Sequence, residues 1–183
     1  MTTENLIRRA RRFAVGHHSA VNQRRKYTGE PYWTHPMAVA NTVAATDCAT
    51  PEMVAAAWLH DTVEDTNATI DDVYRLFGEL VGCYVTGLTD ISDLSWGNRA
   101  FRKQCDLAHL ANTPEPYQFG VYTVKLADIM DNTKSITQHA PGFARVYLKE
   151  IKATLDVIRR GNHDKDLFKV VERQVLAYND ALC

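Results

Sequence analysis

This sequence of 183 residues has no excess of either charge, no paired-cysteine spacing and no long apolar run. Lysines and arginines number 21 against 22 aspartates and glutamates, a formal net charge of −1. That balance excludes the broad basic surface of a general nucleic-acid binder. Cys48, Cys83, Cys105 and Cys183 are scattered without a Cys-x-x-Cys, so they are read as reduced thiols of a cytoplasmic protein, mostly filling its core. No apolar run approaches about 18 residues and no charged-then-apolar leader is present, so neither a membrane span nor secretion is expected. Apolar alternation long enough to build a sheet is missing, as are repeats, low-complexity tracts and linkers. One all-α domain over residues 1–183 is expected.

What is there is helical periodicity. It predicts helices over about 4–20, 36–46, 51–64, 69–88, 98–111, 115–137, 142–161 and 164–181. Thr50-Pro51 and Pro141-Gly142 punctuate helix starts, Gly161-Asn162 an end, and Asp71 and Asp72 place negative charge where a helix dipole favours it. The segment 91–98, with Ser92, Asp93, Ser95 and Gly97, is the most loop-like interior stretch. The basic run Arg8–Arg12 is read as the solvated face of the first helix. Arg99, Arg102 and Lys103 are read as an exposed basic face rather than a phosphate clamp.

The chemistry concentrates in Leu59-His60-Asp61-Thr62-Val63-Glu64-Asp65, directly after the apolar run Met53–Trp58. On a continuous helix His60 and Glu64 share one stripe and Asp61 and Asp65 the next, so all four reach one point beside it. Three carboxylates and an imidazole at one point repel unless a cation sits among them. Two other segments can complete its shell. His35 precedes Pro36, which biases it toward a helix entry. Lys125, Asp128 and Asn132 fall on one face of an otherwise apolar helical stretch, where an aspartate needs a partner. His35, His60, Asp61 and Asp128 together form a mixed nitrogen and oxygen set with positions left for water. That suits a catalytic Mn, Fe, Co or Zn ion better than a closed structural zinc site. Glu64 and Asp65 then stand where a general base or water-orienting group is wanted. His17, His18, His109, His139 and His163 have no comparable context and are read as structural or exposed.

Four blocks, in this order, carry a family resemblance: Arg25-Lys26, the run Gly29-Glu30-Pro31-Tyr32-Trp33-Thr34-His35-Pro36, the run from Leu59 to Thr66, and Val124-Lys125-Leu126-Ala127-Asp128 with Asn132. The chain resembles the HD superfamily of metal-dependent phosphohydrolases, and within it the RelA/SpoT-type hydrolase domains and the stand-alone small alarmone hydrolases. The resemblance runs from about residue 10 to about residue 160. It implies an HD-type helical fold with His35, His60, Asp61 and Asp128 as metal ligands, Mn²⁺ as the usual ion, and Glu64 and Asp65 as the pair that activates the attacking water. It implies substrate contacts from Arg25, Lys26, Asn132 and Tyr147, and Lys134 is placed with them as a further source of charge. The implied reaction removes the 3′-diphosphate of (p)ppGpp, leaving GDP or GTP and pyrophosphate. The nearest alternatives are (p)ppApp or another phosphorylated nucleotide such as NADPH; a non-catalytic nucleotide sensor is a third. The partner is thus a small nucleotide, with no nucleic acid and no membrane, and the oligomeric state stays open. The length leaves no room for a synthetase domain, so degradation rather than synthesis is expected. The sequence departs from the family pattern at Ile129, where relatives carry a basic residue, and in the length of the loop between Lys26 and His35. Both departures fall near the nucleotide base and leave guanine against adenine open.

Overall fold

The computed structural model describes residues 3–181. Within them the protein is all-α, as expected, with no strand and a single isolated bridge between Arg24 and Pro31. Cys183 lies outside the described residues; Cys48, Cys83 and Cys105 are free and only half-buried, so they border the core rather than fill it.

Among the described residues ten helices follow one another: α1 (Thr3–Ala20), α2 (Thr34–Ala44), α3 (Pro51–Leu59), α4 (Thr62–Asp65), α5 (Ile70–Phe77), α6 (Glu79–Leu88), α7 (Arg99–Ala111), α8 (Glu115–His139), α9 (Pro141–Arg160) and α10 (Lys165–Ala181). A single 3₁₀ turn, Leu94–Trp96, sits in the loop-like interior segment.

Helix α3 is the hub. The Thr50 hydroxyl accepts from the Met53 amide and Pro51 occupies the first turn, which together start it. Met53 through Leu59 are all buried, because α1, α2, α6 and α8 pack around it. A helix apolar on every side must be enclosed in this way. Ala55, Ala56 and Ala57 present no bulk, so its neighbours approach closely. Helix α8 is the second buried rod and meets α2, α6, α9 and α10. At Gly120 a Cβ would come within 2.4 Å of the Tyr84 ring, so only glycine lets α6 and α8 meet there.

Two predicted helices are interrupted. The stretch 69–88 breaks at Gly78, whose φ of +90° no side-chain-bearing residue adopts easily; α5 before it is started by a capping box between Thr69 and Asp72. The stretch 51–64 breaks at His60-Asp61, which separate α3 from α4. Helix α2 begins at Thr34, earlier than predicted, so His35 and Pro36 both lie in its first turn. Pro36 costs nothing there, because the amides of a first turn have no intrahelical partner.

Candidate metal centre and adjoining cavity

The break between α3 and α4 shapes the centre. The last carbonyls of a helix lack intrahelical donors, and the His60 Nδ1–H donates to one of them, Ala57 O, at 2.9 Å. A carbonyl only accepts, so this bond fixes the tautomer and leaves Nε2 with its lone pair. That Nε2 points at Asp61 Oδ2, 3.1 Å away, and at His35 Nε2, 3.2 Å away.

His35 reaches the same place from α2. Its Nδ1 lies 2.7 Å from Asp131 Oδ2. Burial works against ionisation of Asp131, but His35 and Arg25 hold its carboxyl below the usual range. An ionised carboxylate only accepts, so His35 Nδ1 is the donor and its Nε2 is also bare. Asp128 comes from the buried middle of α8, with Oδ1 3.1 Å from His35 Nε2 and 3.8 Å from His60 Nε2. Asp61 Oδ2 lies 3.5 Å from His35 Nε2. His35, His60 and Asp128 are almost fully buried and form the tightest group.

Four lone-pair atoms facing one another at these distances repel unless positive charge lies among them. Either a proton or a cation can supply it, and the chemistry of the donors, two imidazoles and two carboxylates, fits a divalent ion. Metal-free, the proton wins. Burial alone would lower His60, but Asp61 and Asp128 hold it well above the ordinary imidazole value. Burial also opposes protonation of His35, yet hydrogen bonds to Asp128 and Asp131 and the charge of Asp61 raise it. Protons therefore compete with metal from a higher pH than at an ordinary histidine. We expect Mn²⁺ affinity, measured calorimetrically from about pH 8 down to about pH 5.5, to fall progressively toward acid. A flat profile across that range would speak against imidazole ligation.

Supporting contacts surround the four residues. The Tyr32 hydroxyl donates to Asp61 Oδ2 at 2.6 Å; burial and then the Asp61 charge raise its pKa, so it keeps its proton. Lys125 Nζ binds Asp128 Oδ2 at 3.0 Å, leaving Oδ1 directed at the centre. Burial opposes the Lys125 charge, but Asp128, Asp90 and Glu64 hold it protonated. The ion pair of Lys125 with Asp128 and the site geometry are therefore parts of one arrangement. Asn132 Nδ2 donates to Asp128 Oδ1 at 2.6 Å.

Glu64 and Asp65 have partners of their own, and the picture of four groups on one continuous helix is corrected by the break. Glu64 accepts from the Asp90 amide at 2.6 Å. Burial, then the charges of Asp61 and Asp90, push it up to about 8. Asp65 Oδ2 accepts from Gln23 Nε2 at 2.9 Å, and Gln23 Oε1 lies 2.6 Å from His18 Nδ1. Burial and the Asp61 charge raise Asp65 as well. His18 is thus neither exposed nor idle: it is buried and holds the glutamine that holds Asp65.

Beside the centre lies a cavity of about 330 Å³, lined among others by Arg25, Lys26, Tyr32, Asn132 and Tyr147. Tyr32 and Asn132, which touch Asp61 and Asp128, make it contiguous with the four converging atoms. The loop before α2 presents Arg25: the Arg25 amide donates to Glu30 O at 2.8 Å and the Tyr32 amide to Gln23 O at 3.0 Å. Lys134 is not brought there. It is exposed, because two helical positions beyond Asn132 amount to about 200° of rotation, whereas Ser135 and Ile136 return to the cavity side. Arg99 is exposed, as expected, and also borders the cavity. It stacks over Phe143 at 5.1 Å and makes two hydrogen bonds to Glu150 at 2.9 and 2.7 Å. Arg102 donates to Gly97 O and Lys103 pairs with Asp90, so these two hold the preceding loop. Ile129 is buried in the core and is not among the lining residues, so its apolar character takes no cation from the cavity wall.

Comparison with known proteins bears on this arrangement. The HD domain family matches residues 10–154. A probable guanosine-3′,5′-bis(diphosphate) 3′-pyrophosphohydrolase of Synechocystis is 34% identical over 148 residues, 80% of this chain and 19% of that protein. The guanosine-3′,5′-bis(diphosphate) 3′-pyrophosphohydrolase of Aquifex aeolicus is 38% identical over 130 residues, 71% of this chain and 18% of that protein. The chain thus spans about a fifth of the length of these curated relatives. Among solved structures, one described as a metazoan ortholog of SpoT that hydrolyzes ppGpp superposes with a TM-score of 0.78 at 27% identity, over 92% of this chain and 93% of that one.

Proposed function

We propose a function from one premise: this chain belongs to the HD domain family. It hydrolyses the 3′-diphosphate of a purine alarmone, (p)ppGpp first, to GDP or GTP and pyrophosphate, with Mn²⁺ as its ion. The observation that carries this is the convergence of His35, His60 and Asp128, with Asp61 beside the two imidazoles, next to a cavity whose wall is both cationic and aromatic. The reactions named for the relatives and for the SpoT ortholog support it.

A divalent ion held by His35, His60, Asp61 and Asp128 supplies Lewis acidity, lowering the pKa of water and polarising a phosphoryl oxygen. The chain's own residues do the rest. Arg25 stacks on the purine and Lys26 offsets phosphate charge. Asn132 and Tyr147 bound the sugar and phosphate side of the cavity. Glu64, pushed up to about 8 by burial and neighbouring charge and brought down toward neutrality once a cation offsets Asp61, takes the proton from the attacking water. Asp65, fixed by Gln23, orients that water. The new bond joins the water oxygen to the phosphorus next to the ribose. The bond from that phosphorus to the 3′-oxygen breaks, and the 3′-oxygen leaves with the electron pair and ends as a hydroxyl.

No part of that chemistry reads the base. Stacking on a guanidinium and on Tyr27, Phe143 or Tyr147 tolerates either purine, unlike hydrogen bonds to a base edge. That wall favours (p)ppApp as the second substrate. Arg25→Ala is expected to raise KM for each accepted purine nucleotide by about tenfold, with bound metal retained. The deciding experiment is a turnover panel with Mn²⁺: guanosine and adenosine 3′-diphosphates and NADPH, products separated by anion exchange. Release of pyrophosphate from a 3′-diphosphate supports the reading. Turnover of a different phosphate ester alone would leave only the phosphohydrolase class.

A further inference from the structure

Asp131 fixes the tautomer of His35 and is also the partner of Arg25 in the cavity wall. Its Oδ2 accepts from His35 Nδ1 at 2.7 Å and forms an ion pair with Arg25 Nη2 at 2.9 Å. One oxygen therefore serves a metal-ligand candidate and a substrate-contact candidate at once. Asp131 Oδ2 faces both groups, and the Asp131 side chain is only 25% exposed, so water does not readily replace either partner.

We propose that Asp131 is a positioning residue that links the metal centre to the cavity, so that engagement of Arg25 by a nucleotide tightens the hold on the metal. The reasoning is electrostatic. A carboxylate that accepts from the outer nitrogen of a ligating histidine raises the basicity of the inner nitrogen and fixes the ring. Asp131 does this for His35 while sharing the same oxygen with a guanidinium, and each charge-assisted donor weakens what the oxygen gives the other. When Arg25 swings its charge onto a purine or a phosphate in the cavity, the oxygen is left to His35 alone, and Nε2 becomes the stronger donor. Linkage makes the effect mutual: metal at His35 draws Asp131 toward the imidazole and releases Arg25 for the nucleotide. The centre then holds its ion most tightly when substrate is in place.

The inference rests on the reading of the four residues as a metal site, but not on which nucleotide is the substrate. The test is therefore a Mn²⁺ titration of the whole chain without nucleotide, read by the electron paramagnetic resonance of free Mn²⁺. Four proteins are compared: wild type, Asp131→Asn, Arg25→Ala and the double variant. Asp131→Asn is expected to weaken Mn²⁺ binding by about tenfold or more, the usual cost of losing an outer partner of a ligand. Arg25→Ala is expected to tighten it by roughly twofold to fivefold, and to change nothing in the Asp131→Asn background. Non-additivity is the readout that a merely structural ion pair would not give. Binding by Asp131→Asn as tight as wild type, or an Arg25 effect of equal size in both backgrounds, overturns the proposal. Failure of the wild type to bind Mn²⁺ defeats instead the metal reading itself. Should Asp131→Asn lose its cooperative melt by circular dichroism, Asp131→Glu carries the same cycle, keeping the charge while moving it one methylene from His35.

Discussion

Replacing His60 or Asp61 by alanine is expected to remove the bound metal and the activity together, with turnover lower by roughly a thousandfold or more. Each residue supplies one of four converging lone pairs: His60 Nε2 and Asp61 Oδ2 are 3.1 Å apart and face the same point. The two variants differ in what else they disturb. Without His60 the Ala57 carbonyl loses its donor at the end of α3. Without Asp61 the Tyr32 hydroxyl loses its acceptor in a buried setting, at a cost of about 1–3 kcal/mol for an unpaired polar group. Metal content by elemental analysis, turnover and the thermal melt are therefore measured on the same preparations. Metal and turnover are expected to vanish in both variants while a cooperative melt persists. Exhaustive chelation of the wild type is the complementary test, and full activity after it would sink the metal reading.

The sequence made the candidate ligands legible because their signals are local. A His-Asp dipeptide after an apolar run, a histidine before proline and an aspartate within an apolar helix each stand out without knowledge of the fold. The arrangement around them was not legible, for reasons that differ. The break at His60-Asp61 carries no glycine or proline; it is held by a histidine side chain bonding back to Ala57, a bond that periodicity cannot reveal. Asp131 carries no signal of its own in the sequence, because its partners Arg25 and His35 lie on two other segments. His18 and Gln23 meet across the turn after α1, where Asn22 takes a φ of +49°, so no helical spacing connects them. Lys134 shows the reverse failure: charge near a motif was taken for charge at the site, when helix rotation carries it away. Arg99 is exposed, as a basic helix face predicts, but its place at the cavity depends on Glu150 and Phe143 of α9, which no spacing within α7 reveals.

The same geometry separates binding from chemistry at Glu64 and Asp65. Glu64→Gln and Asp65→Asn keep size and remove charge. Both are expected to leave metal and nucleotide bound and to cut turnover by roughly a hundredfold or more, the range for loss of a positioned base. The two losses have different causes. Burial and the neighbouring charges of Asp61 and Asp90 push Glu64 up to about 8, so its affinity for a proton is what the substitution removes. A cation at Asp61 would offset one of those charges and bring Glu64 down toward neutrality, where a base is both ionised and effective. Asp65 instead receives an amide from Gln23, which His18 in turn fixes, so its substitution disturbs the direction in which an oxygen points. The profile of turnover against pH, taken at saturating Mn²⁺, tells them apart. With Glu64 ionised as the base, wild-type rate rises with pH through the Glu64 range. Asp65→Asn should keep that limb at a lower plateau, and Glu64→Gln should lose it. An equal fall in metal affinity and rate in either variant would make that residue a ligand or a structural support, and the assignment of the water-activating pair would then be wrong.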